Sequence, residues 1–173
     1  MITRSVAMFD TALGPCGIAW SDAGVTGFQL PERDADGTRR RMASRFPEAV
    51  EAVPPPHIQQ GIDAVVALMR GESVDLAFVR LDFDGVPEFH QRVYEVARTI
   101  PAGATLTYGE VARRVGDPGA ARAVGQALGR NPFAVIVPCH RVTAAGGKTG
   151  GFSASGGAVT KLTLLAIEGA QLF

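Results

Sequence analysis

The apolar residues in the first third of the chain come in short runs rather than at helical spacing. VAMF, CGIAW and VTGFQL are rich in β-branched and aromatic residues and are separated by Gly, Pro and Asp, which predicts three strands. DADGTRRRMASRF then opens a short helix. HIQQGIDAVVALMRG follows, with Ile58, Ile62, Val65, Val66 and Met69 at helical spacing behind the stiff approach of Pro54, Pro55 and Pro56. Asp75–Glu88, DLAFVRLDFDGVPE, reads as a last strand and then a linker. Residues 1–84 are therefore expected to form a small α/β domain, a scaffold or docking surface whose chemistry is not readable.

From Phe89 the period changes. FHQRVYEVARTI places Phe89, Val93, Val96, Ala97 and Ile100 on one helical face, and PAG ends it. Thr107, with Glu110 three residues on, forms a capping box before a helix that stops at Gly116. DPG supplies a turn and GAARAVGQALGRN a second short helix. Helix, Gly/Pro turn, helix is the helix-turn-helix outline, a weak signal alone because many helical hairpins bind nothing. In FAVIVPCHRV, Val135, Ile136 and Val137 read as a short buried strand ended by Pro138, with Cys139 and His140 next. Residues 85–173 are expected to be a second, mainly helical domain.

Composition narrows the classes. The chain has 173 residues, 46% hydrophobic and 20% charged, which excludes a mainly disordered chain and allows a buried core without staples. No apolar run approaches the roughly 20 residues that cross a bilayer, and MITRSVAMFDTALG has no signal-peptide core. The expectation is a soluble, intracellular (cytoplasmic) protein with no membrane partner. Cys16 and Cys139 with His57, His90 and His140 make no closely spaced ligand pairs, so no metal site and no cofactor are expected. The net charge is zero, but Thr105–Lys148 carries Arg113, Arg114, Arg122, Arg130, Arg141 and Lys148 against only Glu110 and Asp117. That excess suits phosphates, and a solvated face would look the same.

An isolated free cysteine is usually a small buried hydrophobe, the reading that suits Cys16 in CGIAW. Cys139 differs: it ends an apolar run beside His140, with basic residues upstream. An electropositive, partly open setting lowers a thiol pKa and makes a nucleophile. Adjacent side chains on a strand point to opposite faces, so Cys139 and His140 would meet through a turn or a water.

The motifs FHQRVYEVARTIPAGATLTYGEVA, ARAVGQALGRNP, VPCHRV, GGFS and KLTLLAIEG stand in the order and nearly the spacing of the O6-alkylguanine-DNA alkyltransferases (methylated-DNA–protein-cysteine methyltransferases), which the chain resembles from about Phe89 to Gly169. The N-terminal part is similar only loosely, through FDTALGPCGIAW. The resemblance implies an α/β (α+β) fold: a ribonuclease-H-like N-terminal domain, then a helical domain with the helix-turn-helix and the active-site cysteine. It implies that Cys139 takes the alkyl group irreversibly from O6-alkylguanine in DNA, once per molecule, after base flipping. His140 would take the thiol proton through a water and Glu168 would orient the imidazole. Read locally, Glu168 is an exposed helix-end charge. Tyr108 resembles the tyrosine beside the flipped base and its phosphate, and read locally is equally a core aromatic. Arg122 resembles the arginine that fills the gap in the base stack, a surface salt bridge being its plainer reading. Asn131 resembles the hinge asparagine, and Asn before Pro is also a common turn.

The resemblance further implies that the second helix, with Ala121 and Arg130 at its two ends, enters the minor groove of double-stranded DNA. Its small residues permit close approach and carry little sequence information. Val142 would offer a carbonyl to the guanine amino group, Phe152 would cover the base, and Ser153, or alternatively Ser155, would meet O6. Ala134 stands where many relatives have a proline in the pocket wall. Lys161, at the start of the last helix, reads best as a solvated lysine, with approach to the site as the alternative. The expected protein is a monomer without DNA. A non-catalytic alkylguanine sensor, a cysteine hydrolase and a transcriptional switch are the competing readings; Cys139 opposes the first, and no second substrate motif supports the hydrolase.

Overall fold

The computed structural model describes residues 3–145 and 158–170. The chain divides into two compact units, one of Met1–Asp84 with Pro132–Ile136, the other of Gly85–Asn131 with Val137–Phe173. Among the described residues no helix is long and apolar enough to cross a membrane.

The first unit is built on a sheet in the order β3-β2-β1-β4. The strands β1 (Ser5–Thr11), β2 (Gly14–Ser21) and β3 (Gly24–Gln29) form the meander that the three apolar runs predict, paired antiparallel. β4 (Val50–Glu51) returns parallel to β1 after helix α1 (Ala35–Arg45), which Asp34 caps by accepting from the Gly37 N–H at 2.7 Å. β2 is buried from Cys16 through Ser21. Burial of both alternating sets of side chains means that both faces of this strand are covered. In α2 (Pro56–Met69), Ile58, Ile62, Val65 and Met69 are buried as their spacing predicts, with Leu68 added.

The strand expected within Asp75–Glu88 does not form. Asp75 and Asp82 each accept the backbone N–H two residues on, at 2.9 Å, and these side-chain turns divert the chain before a ladder can grow. What remains is a single parallel bridge, Val25 to Leu81, held by Val25 N–H to the Arg80 carbonyl at 2.9 Å.

In the second unit, α3 (Glu88–Arg98) buries Val93, Tyr94 and Ala97. Val93, Ala97 and Ile100 of the expected face are buried and Tyr94 joins them, while Phe89 and Val96 are only half-buried. Thr107 ends the short strand β5 (Leu106–Thr107) and caps α4 (Tyr108–Arg114), accepting from the Glu110 N–H at 3.1 Å while its hydroxyl meets the Glu110 carboxylate at 3.2 Å. Gly116, at φ +89°, lets the Asp117 N–H turn back to the Ala112 carbonyl at 3.0 Å and closes α4. α5 (Ala121–Gly129) then packs against α4, completing the expected helix-turn-helix.

The segment before Cys139 is buried, but it is not a strand. The Ile136 N–H bonds to the Ala134 carbonyl at 2.9 Å across Val135, whose φ is +72°: a γ-turn in its strained, positive-φ form. Across Pro138, at φ −79° and ψ 67°, the Cys139 N–H bonds to the Val137 carbonyl at 2.8 Å, an inverse γ-turn. Two such turns within six residues leave no room for extended pairing. Cys139–Arg141 is a single 3-10 turn that runs into β6 (Val142–Thr143), and β6 pairs parallel with β5. The last helix, α6 (Ala158–Ile167), packs on the 3-10 turn.

Gly24 gives a test of the first unit. Its φ is +145°, and a Cβ there would stand 2.6 Å from the Arg80 carbonyl oxygen, an atom of the backbone that cannot swing aside. Gly24→Ala is expected to lower stability by more than about 2 kcal/mol, read as a fall in the urea midpoint. An unchanged midpoint would show that the 80–82 segment does not pack there.

Candidate active site

Cys139, His140 and Arg141 follow one another on the 3-10 turn, and all three are buried. The His140 ring is fully buried, with Nε2 3.0 Å from both carboxylate oxygens of Glu168. Arg141 grips the same carboxylate as a fork, Nε to Oε1 at 2.9 Å and Nη2 to Oε2 at 2.6 Å, and sends Nη1 to the Ile100 carbonyl at 2.7 Å. The Glu168 side chain is 1% exposed. The turn after α6 thus delivers a buried carboxylate, where the local reading has an exposed helix-end charge.

Burial alone would raise the Glu168 pKa, but hydrogen bonds and charge from His140 and Arg141 outweigh it and hold the value down at about 2. Glu168 is ionised and can only accept. His140 Nε2 must therefore carry the proton it shares with that carboxylate. Burial pushes the His140 pKa below its ordinary value, with Arg141 and Lys161 adding to the effect and Glu168 opposing it, so the ring is neutral. Its other nitrogen, Nδ1, is buried and has no hydrogen-bond partner among the described residues. An Nε2-protonated imidazole with an uncommitted Nδ1 lone pair is a base.

Cys139 is 6% exposed. Burial pushes its thiol up to about 11, against the pull of an Asn131 side-chain hydrogen bond, the Lys161 charge and the Cys139 and His140 backbone N–H groups. The sequence expectation of a partly open, low-pKa thiol is overturned: desolvation exceeds the electropositive surroundings, and the resting sulfur is protonated. Cys16 is wholly buried and pushed up to about 12, in keeping with an inert thiol.

Asn131 follows α5 and donates Nδ2–H to the Val137 carbonyl at 2.9 Å as well as bonding the sulfur. Val142 is buried, and its carbonyl accepts from Lys161 Nζ. Lys161 is the largest departure from the sequence reading: it is fully buried, not solvated, with Nζ 5.7 Å from the Tyr108 ring centroid. Burial pulls its pKa down to about 8, against the stabilising pull of the Cys139 charge. Tyr108 opens α4 half-buried, with Gly125 of α5 across from its ring edge.

Arg122 is exposed in the first turn of α5, Ala121 is half-buried beside it, and Arg130 is exposed just past the helix. Arg113 and Arg114 are exposed too. Arg141 is not part of that basic face, because its charge is spent inside the site. Ala134 is half-buried in the 132–136 segment that clusters with the first unit. Phe152, Ser153, Ser155 and Lys148 lie outside the described residues.

Sequence reasoning missed Arg141 as a member of the site and held Lys161 there only as the less favoured alternative. The signals available were an arginine directly after the Cys-His pair and a lone cation within the apolar run VTKLTLLAI.

Residues 88–170 match the family model of the 6-O-methylguanine DNA methyltransferase DNA-binding domain. A methylated-DNA–protein-cysteine methyltransferase of Mycobacterium leprae is 41% identical over 94% of this chain and 91% of its own length. One from Methanothermobacter thermautotrophicus is 38% identical over 90% and 80%. The crystal structure of the Mycobacterium tuberculosis O6-methylguanine methyltransferase superposes with a TM-score of 0.75 at 36% identity, covering 96% of this chain and 93% of that one. A structure of the same organism's protein in complex with DNA gives 0.72 at 35% identity, covering 95% and 92%.

The Glu168 site carries a pH test. A carboxylate whose folded pKa lies near 2, below its ordinary 4.5, contributes stability that is fully present above about pH 4.5 and is lost as pH falls towards 2. Glu168→Gln leaves Arg141 buried without its counter-charge and is expected to cost about 3–5 kcal/mol near neutrality. Followed by denaturant unfolding from neutral to acid pH, the gap to the parent protein should narrow below pH 4.5. A gap independent of pH would mean that this carboxyl is not ionised in the fold.

Proposed function

Because the chain belongs to the methylated-DNA–protein-cysteine methyltransferase family, we propose that Cys139 is the sulfur that accepts the alkyl group. The protein is an O6-methylguanine DNA methyltransferase that acts in DNA repair. The observation that carries the residue assignment is the buried Glu168–His140 pair, with its spare Nδ1 one residue from a protonated thiol.

In this reading Nδ1 takes the thiol proton through a bridging water. Sγ then attacks the alkyl carbon: the S–C bond forms, the C–O6 bond breaks, and guanine leaves with the bonding electrons. The imidazolium that forms is stabilised by the Glu168 carboxylate. The charge of Lys161 and the Asn131 hydrogen bond favour the thiolate that burial opposes. A thioether is a poor leaving group, so the sulfur is not regenerated and each molecule acts once. Tyr108 lies at the start of α4, where its hydroxyl is suited to assist the departing purine. Val142 has a second carbonyl lone pair for the guanine amino group. Phe152, with Ser153 or Ser155, would complete the base pocket.

A base inside a duplex is out of reach of a buried sulfur, so the nucleotide must be extruded. Exposed Arg122 is the group to fill the gap it leaves. The small residues Ala121, Ala123 and Gly125 let α5 approach a minor groove closely, and Arg113, Arg114 and Arg130 supply charge for phosphates. Recognition built this way scans without regard to sequence and weakens with salt. The first unit would serve as a scaffold or docking surface, and the protein would be a monomer without DNA.

Incubation with duplex DNA containing O6-methylguanine should add one methyl group to the Cys139 peptide, and intact-protein mass should stop rising at one equivalent. Binding without a mass change would mark a sensor instead, and continued turnover a hydrolase. Cys139→Ala should keep DNA affinity and lose transfer. Arg122→Ala should slow repair of a paired lesion while transfer from free O6-alkylguanine base persists; equal losses on both substrates would remove the gap-filling role.

A further inference from the structure

The α3 helix packs against both α5 and the turn that carries Cys139. Tyr94, at its centre, is among the largest fully buried side chains, and its hydroxyl donates to the Ala127 carbonyl at 2.6 Å. A phenylalanine would fill the same space, so the added oxygen serves this hydrogen bond. Burial raises the phenol above its ordinary pKa, so it remains a donor at any working pH.

Ala127 lies in the last turn of α5. The other bonds that close this helix are long: the Arg130 N–H reaches Gln126 and Ala127 at 3.2 Å each, and the Asn131 N–H reaches Leu128 at 3.2 Å. Bonds of that length are at the weak end of the range, whereas an O–H donor at 2.6 Å is at the strong end. The hydroxyl thus adds a short tie from α3 to the backbone leading into Asn131. Asn131 in turn holds the Val137 carbonyl at 2.9 Å and bonds the sulfur. The chain of contacts runs from Tyr94 to the Ala127 carbonyl, then through the helix end to the Asn131 amide and Cys139.

We propose that Tyr94 is a positioning residue for alkyl transfer: by fixing the end of α5, its hydroxyl sets how Asn131 holds the Cys139 sulfur. This rests on the reading of Cys139 as the acceptor. The ionisable groups set around the sulfur are Lys161 from α6, Arg130 after α5, His140 and Arg141 on its own turn, and Glu168 beyond α6, with Tyr108 under Lys161 and Tyr94 itself from α3. None of them supplies the Asn131 hydrogen bond.

The test is Tyr94→Phe, which removes one oxygen and keeps the ring in the core. Single-turnover transfer from O6-methylguanine DNA, followed from mildly acid to alkaline pH, should slow about tenfold at neutrality, with its rise displaced to higher pH, because loss of register at a reacting atom is costly. DNA affinity should be unchanged. In an Asn131→Ala background the same substitution should cost no further rate. A rate profile that superimposes on the parent's, even with a lowered melting temperature, would reduce Tyr94 to a structural role. Full additive loss in the double variant would also overturn the proposal. If the parent protein itself gains no methyl group, the assignment of Cys139 fails instead.

Discussion

One carboxylate organises the second unit of this protein. Glu168 is removed from water yet stays ionised, because three N–H groups from His140 and Arg141 replace its hydration. A buried charge is tolerated only when its partners saturate it. Here the partners come from the Cys139–Arg141 turn, and Arg141 extends the set to the Ile100 carbonyl after α3. The end of α3, the turn and the end of α6 are thus joined at one point. The same hydrogen bonds fix the His140 tautomer, leaving Nδ1 as the basic nitrogen. Structure and chemistry depend on this single ion pair.

The second constraint is the state of the thiol. Burial raises Cys139 more than its hydrogen bonds and Lys161 lower it. A protonated, enclosed thiol reacts slowly with small electrophiles and oxidants, whose targets are exposed thiolates. On the proposed reading of Cys139, reactivity comes from the adjacent base, in register with a bound substrate. The γ-turns at Val135 and Pro138 suit that need. They trade the regular pairing of a strand for a sharp path that delivers the sulfur, the imidazole and the guanidinium on consecutive residues. The positive φ of Val135 is strain of the kind that surrounding packing must hold in place.

Much of the fold was legible in local pattern. The three strands of the meander, α1, α2, the Thr107 cap and the Gly116 stop all follow from residue types acting over a few positions. Where the reading failed, a local competitor was at work. Asp75 and Asp82 bind their own backbone and abolish a strand that the apolar residues around them suggest. Pro138 and the turn at Val135 do the same to VIV. On α3, Val93, Ala97 and Ile100 are buried as their spacing predicts, and Tyr94 joins them because Ala127 accepts from its hydroxyl.

The sequence by itself determined the order of the elements, the helix-turn-helix and the motifs that identify Cys139, His140 and Glu168. Periodicity, capping residues and glycines act through neighbours in the chain, so they can be read along it. Whether a charge is buried was decided only by the tertiary structure. Arg141 looked like part of a phosphate-binding face and Lys161 like a solvated lysine; both are inside, held by groups 41 and 19 residues away. The protonation of Cys139, the neutrality of His140 and the ionisation of Glu168 follow from desolvation weighed against those distant partners. Composition and spacing carry no information about that balance, because it exists only after the chain has folded.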